Sequence, residues 1–235
     1  MMNKYCLYGF AALGTVFLTP LASAGDLTGV FDQKHKTCLE QIAVDADLAF
    51  EDAMIWQSDG GGRRARHCVA MALFALGHKE EAAKRLDALA QSADAGNNAM
   101  RADFYAEAAD FWLMANAPDS AYASATSGLD LKKDHTALRI ARARAYALQG
   151  RYDHAEVDLT SALAFEPDHA GALRYRADAR LKQGKRDDAL ADIERSLDLD
   201  PLSVETALLR GRIREAIREA DEAPPVSPPA PEKSE

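Results

Sequence analysis

The sequence predicts an all-α protein, an α-solenoid built from tandem helix–turn–helix units. Residue types recur at intervals of 34 positions through most of the chain, and a fixed interval of that length indicates a repeat architecture. Alanine is abundant, aromatic residues make up 7% of the chain, and runs of Val, Ile and Thr are scarce. This balance favours helix over strand. Glycine and proline fall where the helices of each unit are expected to end.

The first 24 residues have the layout of a secretory signal peptide. Lys4 precedes an apolar run over 6–18, and an Ala-x-Ala sequence ends at Ala24, after which we expect cleavage. An uncleaved membrane anchor is the alternative, but the apolar run of 13 residues is shorter than the ~20 residues that a spanning helix needs. The sequence therefore predicts an exported, periplasmic protein with no stable membrane insertion after cleavage.

Two cysteines, Cys38 and Cys68, follow the predicted signal peptide. An even number of cysteines in an exported protein favours a disulfide, and two buried free thiols are the alternative. A bridge would tie the segment 25–62, predicted to be an N-terminal helical cap, to the first clear repeat, because a solenoid needs a cover on its open apolar end. The formal net charge of −9 repels nucleic acid, so no nucleic-acid partner is expected.

Six independent series share the 34-residue step. They are Arg142, Arg176 and Arg210; Ala109, Ala143, Ala177 and Gly211; Ala121, Ala155 and Ala189; Leu129, Leu163 and Leu197; Gly150 and Gly184; and Pro167 and Pro201. The units are predicted at 102–135, 136–169 and 170–203, with an earlier unit at 63–96 that is shifted by an insertion around 97–101. A last unit opens at Val204 and ends after one helix, which predicts a capping helix over 204–220.

The positions of glycine and proline inside each unit have a physical cause. Gly77, Gly150 and Gly184 stand between two helices, where a residue free to take positive φ is needed. Pro118 opens a second helix, where its missing N–H costs nothing, and Pro167 stands just past a second helix and stops it. The predicted helix ends therefore follow from local chemistry as well as from the repeat.

The period, the helix–turn–helix layout and the small and proline positions resemble the tetratricopeptide repeat. The segments RADARLKQGKRDDALADIERSLDLDP (176–201) and RARAYALQGRYDHAEVDLTSALAFEP (142–167) carry the resemblance most clearly, and it covers 63–220. The unit 102–135 departs from the pattern, with Asn116 in place of the turn glycine and Lys133 in place of the closing proline, and Arg180 replaces the usual aromatic residue. The resemblance implies a right-handed superhelix.

The resemblance also implies a concave surface, lined by the first helix of each unit, that contacts a peptide or a partner helix. Its expected residues combine both charges with apolar side chains; they are Asp103, Asp110, Leu113, Ile140, Arg144, Arg174, Asp178 and Leu181. The Lys, Asn and Arg set with which the best-known members hold a C-terminal carboxylate is not found, so that ligand is not implied. The alternative is that these charges merely solvate the surface.

The sequence contains no recognisable catalytic, metal-binding or cofactor-binding motif. His135 and His169 each follow an aspartate at the same place in successive units, and the ~10 Å expected between equivalent positions is too long for one zinc ion. We expect Asp134 and Asp168 to cap the helices that follow, with the histidines beside them.

Together these observations predict a non-catalytic periplasmic scaffold or adaptor that binds a protein or peptide partner, with cell-envelope assembly as one setting. An accessory or regulatory subunit of an envelope enzyme or secretion complex is the alternative, and an enzyme is the third hypothesis. Monomer and homo-oligomer are both open. The segment 221–235 holds five of the nine prolines, which predicts a disordered tail, either inert or a Pro-rich ligand.

Overall fold

The computed structural model describes residues 24–222, with side chains described from residue 29. This part of the chain contains eleven α-helices and no strand. The helices are α1 (Ala24–Ile42), α2 (Ala46–Ser58), α3 (Gly62–Ala75), α4 (Lys79–Gln91), α5 (Asn98–Met114), α6 (Pro118–Leu131), α7 (Thr136–Leu148), α8 (Tyr152–Phe165), α9 (Ala170–Lys182), α10 (Arg186–Leu199) and α11 (Val204–Glu222). The predicted signal peptide up to residue 23, and the predicted tail from residue 223, lie outside the described residues.

Successive helices form hairpins that stack side by side. The pairs α3–α4, α5–α6, α7–α8 and α9–α10 each pack internally and against the next pair, and α11 packs on α10 without a second helix of its own among the described residues. The N-terminal segment is a further hairpin, α1–α2, whose first helix also packs on α3. The first helices α5, α7, α9 and α11 contact one another in turn. One side of the stack is therefore lined by first helices, as the predicted solenoid requires.

The residues predicted as an insertion, 97–101, are not a loop but the start of α5. Asn97 is the N-cap residue, and its side chain accepts a hydrogen bond from the backbone N–H of Met100 at 3.0 Å. The helix therefore begins about one turn before the predicted unit boundary. A longer first helix accounts for the shift in register between the first clear unit and the next one.

The turns between paired helices need a left-handed residue. Gly77, Gly150 and Gly184 have φ values of +90°, +75° and +77°, and Asn116 takes the same role with φ +57°. Asparagine tolerates this region better than other residues with a Cβ. The unit that lacks the glycine therefore keeps the same turn.

The predicted caps Asp134 and Asp168 are wrong by one residue. His135 and His169 are the N-cap residues of α7 and α9, and their Nδ1 atoms accept hydrogen bonds from backbone N–H groups at 3.4 and 3.1 Å. A neutral imidazole can do this because one of its nitrogens is an acceptor. Asp168 is instead exposed and lies 2.6 Å from the guanidinium of Arg195.

The core runs along the stack as three clusters of buried side chains. Alanine makes close helix contacts possible: Ala155 and Ala189 have no exposed surface. At Gly128, on α6, a Cβ would lie 2.6 Å from a methyl carbon of Leu138 on α7. Small residues at these crossings thus set how closely the helices approach, and Leu, Ile and aromatic side chains fill the space between them.

In two successive units, an arginine on the first helix pairs with a buried aspartate on the second helix of the same unit. Arg142 donates two hydrogen bonds of 2.7 Å to Asp158, and Arg176 donates two of 2.8 and 2.7 Å to Asp192. Both carboxylates are buried. These pairs are 34 residues apart, so the arginine series in the sequence reflects a repeated ion pair.

Arg180 replaces the usual aromatic residue with a polar network. Its guanidinium lies 2.8 Å from Glu156 and 2.8 Å from Asp192, and Lys185 lies 2.6 Å from Glu156. Burial alone would raise the pKa of Glu156, but hydrogen bonds from Lys185, Arg180 and Gln183 outweigh it and lower the pKa to about 2. The carboxylate therefore stays charged and links α8 to α9.

A disulfide between Cys38 and Cys68 joins α1 to α3, with the two Cα atoms 6.4 Å apart. Earlier on α1, Asp32 forms an ion pair with Arg64 of α3. Phe31 stacks on the buried indole of Trp56 of α2, with ring centroids 6.4 Å apart. These contacts hold the predicted cap against the first clear repeat.

Three titratable side chains, His35, His67 and Glu107, form a further hydrogen-bonded link between the cap and the array. His35 Nε2 is 2.9 Å from His67 Nδ1, and His67 Nε2 is 2.7 Å from a carboxylate oxygen of Glu107 on α5. A carboxylate only accepts, so Nε2 of His67 donates to Glu107, and the other nitrogen of His67, Nδ1, accepts from His35. Burial and the neighbouring His67 lower the pKa of His35 to about 4. The three side chains therefore connect α1, α3 and α5.

Candidate functional site: the concave groove

Two adjoining cavities lie along the side lined by first helices. One, of about 350 Å³, lies between α5, α7 and α9, and includes Leu113, Arg144 and Leu148 in its wall. The other, of about 640 Å³, lies between α9 and α11. Tyr175 and Asp178 belong to both walls. We call the continuous surface formed by the two cavities the concave groove.

Tyr175 lies at the middle of the concave groove between two cations. The guanidinium of Arg144 is 5.2 Å from the centre of its ring, and that of Arg174 is 4.7 Å away. Cations at these distances are attracted to the face of an aromatic ring. Arg144 also donates a 2.7 Å hydrogen bond to Asp110. These contacts fix the ring while it still forms part of the cavity wall.

The charges of the concave groove are only partly paired. Arg144 is paired with Asp110, and Arg212 lies 3.7 Å from Asp178. Arg174 and Lys182 have no carboxylate within ion-pair distance among the described residues. Four cations, Arg144, Arg174, Lys182 and Arg212, thus stand against the carboxylates of Asp110, Asp178 and Glu205, so the groove has a small excess of positive charge on a chain whose formal net charge is −9.

Among the acids of the groove, Asp110 has a shifted pKa. Burial raises its pKa above the ordinary value, and the charge and hydrogen bond of Arg144 offset part of that rise. Arg144 thus has two roles, since it neutralises Asp110 and packs on Tyr175. Its position depends on both neighbours, one on α5 and one on α9.

The predicted concave residues divide into two groups. Four of them line the groove: Leu113, Arg144, Arg174 and Asp178. Asp110 contacts the groove through the hydrogen bond that it accepts from Arg144. The other three do not line it: Ile140 is buried in the core, Leu181 packs on the last core cluster, and Asp103 is exposed and 3.0 Å from His135. The resemblance to the tetratricopeptide repeat implied all three for the concave surface, but it could not distinguish the wall of the groove from the core beneath it.

Sequence reasoning missed several groove residues. Tyr175 is the most important, and Leu148, Tyr152, Lys182, Leu208 and Arg212 also belong to the walls. Two of them, Leu208 and Arg212, are on α11, which was predicted only to cap the array. The sequence signal for these two was that the last unit opens with a first helix. Because α11 follows α9 as a first helix, it extends the groove as well.

The described residues give no sign of a metal centre or a membrane span. No group of three or more His, Cys, Asp or Glu side chains among them is arranged to hold a metal ion. None of the described helices combines the length and apolar character needed to cross a bilayer.

The fold defines the class of protein as an α-solenoid of helix hairpins. No protein-family model matches the sequence, and no curated protein is significantly similar to it. Solved structures are similar. The first tetratricopeptide-repeat domain of human RPAP3 is 26% identical, with a TM-score of 0.50, over 52% of this chain and 97% of that one.

Two further structures match more of the chain at lower identity. YrrB, a tetratricopeptide-repeat protein, is 15% identical, with a TM-score of 0.57, over 72% of this chain and 85% of that one. MamA is 14% identical, with a TM-score of 0.59, over 87% of this chain and 100% of that one. With the 34-residue period and the stacked hairpins, this similarity shows that the chain has the tetratricopeptide-repeat fold.

Proposed function

We propose that the chain is a non-catalytic scaffold that binds an extended peptide segment of a partner protein in the concave groove. The observation that carries the proposal is Tyr175, which is held in the groove wall between Arg144 and Arg174. A fixed aromatic ring flanked by cations offers both apolar contact and charge, at little entropic cost on binding. YrrB, which has the same fold, carries an unusual peptide-binding site.

The length and chemistry of the segment follow from the groove. It crosses the first helices α5, α7, α9 and α11, and three spacings of ~8–10 Å give roughly 25–30 Å, the length of about eight residues in an extended chain. Leu148 and Leu208 add exposed apolar surface, and Arg174 and Lys182 add positive charge. A segment with apolar side chains and at least one carboxylate fits this surface.

A displayed library of random peptides tests the proposal without any assumption about which protein is the partner. We expect the chain to enrich peptides that contain both apolar and acidic residues. Tyr175→Ala should weaken the binding of enriched peptides roughly tenfold or more, since a central aromatic contact of this kind is worth at least about 1.4 kcal/mol. Arg174→Ala should weaken it and reduce its salt dependence.

The matched control is Arg195→Ala, which removes an exposed arginine outside the groove walls. It should leave peptide binding unchanged. Absence of any enrichment, or equal binding by the Tyr175 and Arg195 variants, would exclude the concave groove as the binding surface.

We further propose that the scaffold acts in the periplasm, with the N-terminal segment removed on export. Support comes from the signal-peptide layout that ends at Ala24 and from the Cys38–Cys68 disulfide, since such bonds persist in oxidising compartments. Determination of the N-terminus of the protein from fractionated cells tests this. A mature protein that begins at Gly25 in the periplasmic fraction is expected, and a full-length protein in the cytosolic fraction contradicts it.

A further inference from the structure

Equivalent positions of the first helices form rows across the concave groove. The 34-residue step places Asp110, Arg144, Asp178 and Arg212 in one row, on α5, α7, α9 and α11 in turn. Their charges alternate, and each arginine lies close to the aspartate of the preceding first helix, at 2.7 Å in the first pair and 3.7 Å in the second. We call these four residues the charged row. Because its charges compensate one another, the row offers a ligand little net attraction.

A second row lies one helical turn further along the same helices. It consists of Met114, Leu148 and Lys182, each four residues after a member of the charged row. Met114 and Leu148 have exposed fractions of 53% and 56%, and Lys182 is also exposed. We call these three residues the rim row. It presents two apolar side chains on α5 and α7, followed by a cation on α9.

Leu148 borders a cavity that reaches the core. Ala143 and Leu159, which are 0% and 1% exposed, belong to the wall of the 350 Å³ cavity between α5, α7 and α9. The charged side chains of this wall, Arg144 and Asp178, are both members of the charged row. An apolar cavity of about 150 Å³ can hold a benzene ring. The groove at Leu148 therefore has room for one large apolar side chain.

Lys182 is the cation of the groove that is best placed for a ligand carboxylate. It lies in the wall of the 640 Å³ cavity and has no carboxylate within ion-pair distance among the described residues, whereas Asp178 in the same wall lies 3.7 Å from Arg212. Glu205, the other acid of that wall, is eleven residues before position 216, the α11 equivalent of Lys182. At 1.5 Å per residue, this places Glu205 roughly 16 Å along the helix from the level of Lys182. Arg174 lies toward the same end of the cavity as Glu205.

The separation of Leu148 and Lys182 selects a backbone conformation for the ligand. They are at equivalent positions of neighbouring first helices, which lie on the order of 10 Å apart. A polyproline-II chain rises 3.1 Å per residue with three residues per turn, so residues i and i+3 are about 9 Å apart on the same side. In a β-strand, residues three apart point to opposite sides, and those on one side are about 7 or 13 Å apart. The polyproline-II conformation therefore fits the rim row best.

We propose that the concave groove selects a polyproline-II segment in which a large apolar residue and an acidic residue are three positions apart. The apolar side chain enters the cavity at Leu148, and the carboxylate pairs with Lys182. A second apolar residue, three positions further from the acid, would lie at Met114. Either order along the peptide fits, since the rim row sets a separation and not a chain direction. This inference rests on the proposed binding of a peptide in the groove and adds the sequence that the groove selects.

Selection from the displayed random library, in parallel with wild type and with Lys182→Glu, tests the inference. Peptides enriched by wild type should share a large apolar residue and an Asp or Glu three positions apart. Lys182→Glu should enrich the same separation with Lys or Arg in place of the acid, because opposite charges then meet at that position. A synthetic peptide of the wild-type consensus should bind Lys182→Glu about fivefold less tightly than wild type, as expected for an exposed charge pair.

The matched control is Lys84→Glu, which reverses an exposed lysine on α4, outside the groove walls, and should enrich the same peptides as wild type. Circular dichroism shows whether each variant keeps its helices. If Lys182→Glu loses them, Lys182→Ala replaces it and should lose the preference for the acid while it keeps that for the apolar residue.

Two results overturn the inference and leave the proposed function in place. In one, the enriched peptides depend on Tyr175 but show no fixed separation, or one of two or four positions. In the other, Lys182→Glu enriches the same acidic peptides as wild type. Absence of any enrichment by wild type is a different result, because it refutes peptide binding in the groove and this inference with it.

Discussion

Protonation of His35 should loosen the N-terminal helix from the array. His35 donates the 2.9 Å hydrogen bond from its Nε2 to His67 Nδ1, so protonation of the other ring nitrogen keeps this bond but places a positive charge in a half-buried position. The groups that face His35 are Asp32 on its own helix, Arg64 and His67 on α3, and Glu107 on α5. Two of these four groups carry negative charge, but burial and His67 outweigh them and keep the pKa of His35 low.

The sign and size of the loss in folding stability follow from the two pKa values of His35. The folded-state pKa of His35 is about 4 and its ordinary value is 6.5, so the folded protein binds fewer protons between these pH values. The stabilising contribution is complete above about pH 6.5 and is lost as the pH falls toward 4. A difference of this size corresponds to roughly 3 kcal/mol. Solvent screens a partly exposed ring, so we expect a loss of about 1–2 kcal/mol.

Urea unfolding at pH 7.5 and pH 4 measures the loss. Other groups also titrate in this range, so the informative quantity is the difference between wild type and His35→Gln, which keeps a donor for His67 but cannot be protonated. The wild type should lose about 1–2 kcal/mol more than the variant, a midpoint difference of roughly 0.5 M urea. His78→Gln is the control, because His78 is exposed and its side chain caps nothing.

Two results would refute this reasoning. If wild type and His35→Gln lose equal stability on acidification, the burial of His35 does not couple folding to pH. If His78→Gln removes as much of the pH dependence as His35→Gln does, the effect is a general response to charge rather than a property of this site.

Three further predictions concern the other polar and covalent links. Replacement of Cys38 and Cys68 by Ser should lower the free energy of unfolding by about 3–4 kcal/mol on the chain-entropy model, and reductant should then have no further effect on the urea midpoint. Arg142→Met should cost up to ~3–5 kcal/mol, because it removes both hydrogen bonds to the buried Asp158 and leaves only Arg139, 3.7 Å away. Arg142→Met with Asp158→Leu should recover most of that loss in thermal unfolding. Glu156→Gln should remove roughly 2 kcal/mol of stability that wild type has above about pH 4.5 and loses as the pH falls toward 2, so the two proteins should converge in strong acid.

Each of these three predictions has a result that would contradict it. A urea midpoint that reductant leaves unchanged in wild type would mean that the disulfide does not constrain the unfolded chain. A double variant at Arg142 and Asp158 that is as unstable as the single variant would assign the cost to packing rather than to an unpaired charge. A constant stability difference between Glu156→Gln and wild type from pH 7 to pH 2 would show that the low pKa of Glu156 makes no contribution.

The helices and their ends could be predicted because their causes are local. A glycine or asparagine is needed wherever the chain turns left-handed between paired helices, and proline cannot continue a helix, so Gly150 and Pro167 mark ends without reference to any distant residue. The start of α5 was missed, since the repeat interval placed a boundary at 102 whereas the capping side chain of Asn97 lies one turn earlier.

The site could be predicted only in part, because it depends on residues that are far apart in the sequence. The resemblance to the tetratricopeptide repeat implied Arg144 and Asp178 for the concave side, and they line the groove. Tyr175 becomes important only because Arg144, on the preceding first helix, reaches its ring. The register gives the side of a helix on which a residue lies, and it does not give the distance to the next helix.

The sequence by itself determined that this protein is a repeat of paired helices, since one interval fixes both the hydrophobic pattern and the turns. Only the tertiary structure decided which side chains meet across units: Tyr175 with two arginines, and His35 with His67 and Glu107. The physical reason is that helix formation depends on neighbours a few residues away, whereas contacts between units depend on how closely each crossing lets the helices approach. That approach is set jointly by small residues such as Gly128 and the side chains they face.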